Sequence, residues 1–132
     1  WAACDMRAWL NNTMFALLPD ELQALIAPTK IVQIVDGERV EIEDKLFLLS
    51  KTQVFGKGRW SDREPEDAQL LCFLREKDRV KECGDNGTWW WWLRSPEASG
   101  SSSFANVDYA GGSYSYAGAS ASYGVAFGFC LI

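Results

Sequence analysis

Histidine is absent from the 132 residues. With it go the commonest general base, the Ser-His-Asp and Cys-His nucleophile pairs, and every zinc site that needs imidazole. No apolar run approaches the roughly 20 residues of a membrane-spanning helix, so no membrane insertion is expected. No basic-then-apolar leader opens the sequence. Lysine and arginine stop at Arg94, and the formal net charge is −5; a broad nucleic-acid footprint is therefore not expected. None of the four cysteines, Cys4, Cys72, Cys83 and Cys130, forms a C-x-x-C pair, which removes the strong zinc and thioredoxin signals. They read either as core or incidental thiols, with Cys72 buried in the run Leu70 to Leu74, or as a disulfide joining Cys4 to Cys83 or Cys130. No metal and no cofactor is expected. The composition leans away from an enzyme.

What remains is ordinary globular material, 48% hydrophobic and 23% charged, of a length that suits one domain. Its charge is divided sharply. Beyond Glu97 the only charged residue is Asp108, and all four tyrosines (Tyr109, Tyr114, Tyr116, Tyr123) lie in this Ser/Ala/Gly-rich stretch. Apolar residues bracket it, Trp89 to Leu93 before and Val125, Phe127, Phe129, Leu131 and Ile132 after. A segment that returns to the core is expected to be folded.

The charged part reads as mixed α and β. Met6, Trp9 and Leu10 share a helical face after Asp5, and Pro19-Asp20-Glu21 opens a second helix that Pro28 ends. Asp36-Gly37 is a strong hairpin signal, and a two-residue turn there pairs Ile31 with Ile42 and Gln33 with Val40. Leu46 to Leu49 reads as a short buried strand. Ser61-x-x-Glu64 has capping-box spacing ahead of a helix from about Pro65 to Lys81. Trp89 to Leu93 reads as a strand in which Trp90 and Trp92 point one way, Trp89 and Trp91 the other. One pair is then core; the other either covers a loop or forms an exposed binding hot spot. Gly111-Gly112 marks a tight turn before Tyr114 to Tyr116, and Gly124 opens the last strand.

Three motifs occur in order: Cys4-Asp5-Met6-Arg7-Ala8-Trp9-Leu10-Asn11, Lys45-Leu46-Phe47-Leu48-Leu49-Ser50, and Trp91-Trp92-Leu93-Arg94-Ser95-Pro96. This succession resembles a bacterial and phage domain family with the signature R-x-W-L-N, F-L-L-S, W-W-L-R-S-P and G-V-R-P-A. The end departs from it: Gly124-Val125 is followed by Ala126-Phe127-Gly128-Phe129. The resemblance implies a C-type-lectin-like fold, shared with formylglycine-generating-enzyme-like proteins, and one or two strands ahead of Trp1. Some members resemble the variable proteins of diversity-generating retroelements, whose C-terminal repeat is rewritten at adenines. Rewriting the two adenines of an Asn codon cannot produce Lys, Glu, Gln, Met or Trp, and none of these occurs from Ala98 to Ile132.

The expected architecture is therefore an α+β, C-type-lectin-like single domain over 1–132, with helices in the first two thirds and an antiparallel sheet at the C-terminal end. Residues 1–94 form a scaffold, 95–124 the variable ligand-binding region and 125–132 a closing core strand. The scaffold buries Trp9, Leu10, Leu48, Trp92, Val125 and Phe127, and Trp9, Trp91, Trp92 and Arg94 are its structural residues. Arg94 ties loop carbonyls together, an anion-binding arginine being its rival reading. The binding surface is formed by Phe104, Tyr109, Tyr114, Tyr116 and Tyr123 with Asn106, Asp108, Ser113 and Ser115, a composition like that of antibody contact loops. The expected ligand is a protein on another cell or particle, met from a cell surface or a phage particle. Two other classes compete. A formylglycine-generating relative needs paired cysteines, and only Cys130 lies in the second half beyond Cys83. A calcium-dependent sugar lectin needs Glu-Pro-Asn-like and Trp-Asn-Asp-like motifs, which are missing.

Overall fold

Asp36 and Gly37 both adopt positive φ, 51° and 81°, the geometry that lets a two-residue turn follow the twist of its strands. They join β2 (Thr29–Val35) to β3 (Glu38–Asp44) in the expected register, Ile31 opposite Ile42 and Gln33 opposite Val40. The computed structural model describes residues 1–98, 102–113 and 116–132. Among them the chain is mixed α and β, with short helices and small antiparallel sheets. The helices are α1 (Asp5–Trp9), which runs on as a π-turn over Leu10–Met14, α2 (Asp20–Leu25) and α3 (Lys51–Phe55). The remaining strands are β1 (Ile26–Ala27), β4 (Phe47–Leu48), β5 (Trp91–Pro96), β6 (Ser103–Val107), β7 (Tyr116–Gly118), β8 (Phe127–Gly128) and β9 (Cys130–Leu131).

The last residues close the fold: β8 pairs with β4 and β9 with β1. Strand β5 is central. On one edge it pairs with β6, which carries β7; on the other, Trp91 bridges Gly124, whose N–H donates to Trp90 O and whose carbonyl accepts from Trp92 N. Period two then sends alternate side chains into two cores. Trp92 packs with Trp1, Leu10, Ile26, Ile31 and Leu46 to Leu48, while Trp91 and Leu93 pack with Val54, Phe73, Ala105 and Val107.

Two polar knots join these layers. Asn11 donates to Leu46 O at 2.8 Å and accepts from the N–H groups of Lys45 and Leu46, while Asp44 accepts from Arg7 Nε (2.7 Å) and Trp1 Nε1 (2.8 Å). At the second knot Arg94, 1% exposed, donates to Leu48 O, Gln53 Oε1 and Asp67 Oδ2 at 2.7–2.8 Å. Gln53 also completes a capping box with Ser50 at the start of α3. Beside it the buried Glu64 accepts from the N–H and hydroxyl of Thr52 and from the Ser95 hydroxyl, and Ser95 accepts from Lys51 N.

Several expectations are corrected. The helix from Pro65 to Lys81 is replaced by 3-10 turns over Leu71–Phe73 and Glu76–Arg79. Glu64 turns inward to the Thr52 and Ser95 hydroxyls instead of capping a helix, and of the run Leu70 to Leu74 only Phe73 is buried, leaving Leu71, Cys72 and Leu74 exposed. All four cysteines are free thiols. Trp9 is 43% exposed because Met6, Leu10 and Met14 take the inward face, and its neighbour in a helix points about 100° away. Val125 is also exposed, standing beside Trp89 and Trp90 while Ala126 and Phe127 turn to the cores.

Breaking the Arg94 knot leaves a carboxylate and a carbonyl without their donor. Arg94→Met is expected to lower the unfolding free energy by about 3 kcal/mol, read from urea denaturation midpoints at constant slope.

Candidate functional site

The tail's chemistry converges on one ring system. Trp90 meets Trp89 edge-on at 4.9 Å and Tyr109 edge-on at 5.0 Å, and stacks on Tyr123 at 6.0 Å; Tyr123 in turn packs on Trp92 at 4.7 Å. Trp89 donates its indole N–H to Ser122 O at 3.1 Å. Two loops of the nearly uncharged segment, one carrying Tyr109 and one carrying Ser122 and Tyr123, therefore meet on a tryptophan pair from the charged segment. Trp89 and Trp90 are half-buried and Tyr109 is 53% exposed.

The loop carrying Tyr109 has a rigid base. Asp108 Oδ1 accepts from the N–H groups of Ala110 and Gly112, an Asx turn closed further by Gly111 N on Asp108 O. Gly111 sits at φ 91° with its backbone so close to the Glu76 carbonyl that a Cβ would lie 2.1 Å from that oxygen. Glycine is required there on both counts.

The residues expected to share one surface are divided among three places. Tyr109 and Ser113 are exposed. Phe104 and Tyr123 are half-buried against the Trp92 core, and Tyr116 packs on the Trp91 core. Asn106, expected at the binding surface, is buried, 3% exposed, because it lies opposite Trp92 on the face of β6 that meets the Trp92 core. Asp108 holds its own turn. Tyr114 and Ser115 lie outside the described residues. Trp89 and Trp90 are not among the expected site residues; the expectation is that one same-side pair of the run, Trp90 with Trp92 or Trp89 with Trp91, is core. Instead Trp91 and Trp92, one from each pair, fill the two cores, and Trp89 and Trp90 are left half-buried at the surface.

Electrostatics under the sheet differ from those at its rim. Lys51 Nζ lies over the rings of Trp60 (4.3 Å) and Tyr116 (4.7 Å). Burial pulls its ammonium below the ordinary lysine value of 10.5; Glu64 acts to raise it and Arg63 to lower it further. Burial likewise pulls the Arg94 guanidinium below its usual range, against the opposing charges of Asp67, Glu64 and Asp44. Among the described residues no cluster of Cys, Asp and Glu has a metal-binding arrangement, and no helix is long and apolar enough to cross a membrane.

A model of the domain family of unknown function DUF6273 matches residues 1–132. The chain belongs to that family. No curated protein and no solved structure matches it. The three sequence motifs of this DUF6273 domain lie at its two polar knots and its central strand, so their residues first of all hold the fold.

Two measurements follow. Tyr109→Ser should shift thermal stability by no more than about 0.5 kcal/mol, whereas Tyr123→Ser should cost about 2–3 kcal/mol through its lost ring contacts. The lysine carries a pH signature. Below its lowered pKa both folded and unfolded Lys51 are charged; between that value and 10.5 the unfolded chain holds more protons, so stability rises with pH across that window. The wild type should therefore gain stability relative to Lys51→Met as pH climbs through it, measured by urea titration at a series of alkaline pH values.

Proposed function

We propose that this domain is a ligand-recognition module with a C-type-lectin-like fold, whose C-terminal Tyr/Ser/Ala/Gly-rich surface binds protein ligands and is diversified by a retroelement. The observation that carries the reading is the exposed Tyr109, presented on a glycine-locked loop against the fixed Trp90 ring. Tyrosine offers large rigid contact area with little ordering cost, and Ser and Gly beside it adapt to the partner. The positions free to change in such a scheme are the exposed ones of two loops: Tyr109, Ala110 and Ser113 in the first, Ser120 and Ser122 in the second. Ala105 to Val107, just ahead of the first loop, and Gly111 within it are buried and belong to the framework. Support for the fold assignment comes from the order of the three motifs and from the terminal strands β8 and β9, which return to pair with β4 and β1. In this reading the domain carries no chemistry of its own. It meets its ligand from a cell surface or a phage particle.

The diversification half is tested in the neighbouring DNA. A near-copy of the stretch encoding 98–124, differing at adenines and adjacent to a reverse-transcriptase gene, is expected; a flank with neither overturns it. The recognition half is tested by displaying a library varied at Tyr109, Ala110, Ser113, Ser120 and Ser122. Selection on unrelated immobilised proteins should return folded, target-specific binders, and failure on every target would remove the recognition reading.

A further inference from the structure

A short hairpin leads into the tryptophan pair. Glu82 and Thr88 face each other in an antiparallel bridge, and Trp89 N donates to Lys81 O at 3.1 Å. Within the turn, Cys83 N donates to Gly87 O at 2.8 Å and Asn86 N to Cys83 O at 3.1 Å. Gly84, Asp85, Asn86 and Gly87 are all exposed. Gly87 has φ 66° and ψ −139°, a backbone region that favours glycine. A Cβ there would meet nothing within 4 Å, so the backbone angle selects glycine and not a lack of room.

That glycine decides the chemistry of the residue before it. The side-chain amide carbon of an asparagine can be reached by the next backbone nitrogen, and a following glycine leaves that nitrogen unshielded. Asn86 alone among the asparagines precedes a glycine; Asn11, Asn12 and Asn106 precede Asn12, Thr13 and Val107. In the reaction a bond forms from Gly87 N to Asn86 Cγ, the bond from Cγ to Nδ2 breaks, and ammonia leaves with the proton that Gly87 N gives up. Water then opens the cyclic imide at either carbonyl. One opening leaves aspartate, the other routes the main chain through Cγ as isoaspartate. The sum is carboxamide plus water giving carboxylate plus ammonium. Asn86 must leave its 3-10 turn for the attack, which asks only for local opening of an exposed loop outside both cores.

We infer that Asn86 is a site of spontaneous deamidation in the folded protein, and that its product remodels the tryptophan edge of the domain. Isoaspartate inserts a methylene inside the loop that the bond from Cys83 N to Gly87 O closes. The insertion lies three residues before Trp89, whose indole N–H is tied to Ser122 O at 3.1 Å. A new negative charge also joins those of Glu82 and Asp85 on this hairpin. The inference goes beyond the recognition reading and needs no ligand.

The test ages the full chain for weeks in warm, mildly alkaline buffer and cuts it after lysine and arginine. The peptide from Glu82 to Arg94 holds Asn86 and no other asparagine. It should gain about 1 Da and split into two chromatographic forms, while the peptides carrying Asn11, Asn12 and Asn106 keep their mass. Conversion should run within about tenfold of the rate in the same chain unfolded by guanidinium chloride. Asn86→Gln, which would have to close a larger ring, should hold its mass. In nitrogen-15 NMR spectra of the aged wild type the Trp89 indole signal should divide as the peptide converts, and that of Trp9 should stay single. An unchanged peptide from the folded chain beside a converted one from the unfolded chain overturns the site. An equal mass gain in Asn86→Gln overturns the assignment to Asn86, and conversion with an undivided Trp89 signal overturns the remodelling. Neither readout involves a partner, so failure here and failure of the display selection are separate results.

Discussion

Moving a guanidinium out of water costs several kcal/mol unless its donors are met, and Arg94 meets acceptors from three separate segments, Leu48, Gln53 and Asp67. That requirement fixes much else. Leu48 belongs to β4, so the strand must lie alongside β5; Gln53 caps α3, so the helix must start beside them. Asp67 stands in the irregular stretch that follows, and its carboxylate draws that stretch over the charge. Next door the Glu64 carboxylate is buried among the hydroxyls of Thr52, Ser61 and Ser95. A buried network of this kind rigidifies as far as its members are satisfied; both terminal nitrogens of Arg94 have acceptors, and its buried Nε has none among the described residues. The Leu-Leu-Ser and Leu-Arg-Ser-Pro segments supply part of the network, and Thr52, Gln53, Glu64 and Asp67 the rest.

Strand β5 turns this rigidity into presentation. Its inner residues, Trp91 to Ser95, are buried from both faces, and just ahead of them Trp89 and Trp90 reach the surface. The same backbone that is held by Arg94 therefore carries the rings against which Tyr109 and Tyr123 rest. Loops docked on such a base can change their exposed residues without passing strain to the core, since they meet it through glycine, backbone and ring contacts.

What could be read in the residues beforehand follows how local the deciding physics was. The β2–β3 register was legible because Asp36 and Gly37 alone determine the turn. The opposite facing of Trp91 and Trp92 was legible for the same reason, and so was the turn at Gly111-Gly112, but not that both faces of β5 carry a core and take one tryptophan from each expected pair. The stretch from Pro65 to Lys81 misled because its spacing suits a helix, while the burial of Glu64 and the pull of Arg94 on Asp67 are set by distant partners. Asn106 misled in another way: a polar residue in a Ser/Ala/Gly/Tyr-rich stretch reads as surface, and nothing near it in sequence says that it pairs with Trp92, whose face carries a core. Trp9 and Val125 are the converse, large apolar residues left outside because their neighbours reach the core first.

The pairing of β8 and β9 with β4 and β1 also sets a timetable. Partners such as Leu48 and Phe127, or Ile26 and Leu131, are separated by most of the chain, and contacts of that span form slowly because a long loop must close first. During synthesis β1 and β4 emerge early and wait with unpaired edges until β8 and β9 have left the ribosome. The apolar stretch Leu46 to Leu49 is thus most vulnerable to wrong partners in that interval, when the uncharged Ser/Ala/Gly/Tyr segment is being made. That segment carries a single charge beyond Glu97, Asp108, and its tyrosines favour strands, so it competes for the waiting edges itself, and the return of β8 and β9 has to displace it.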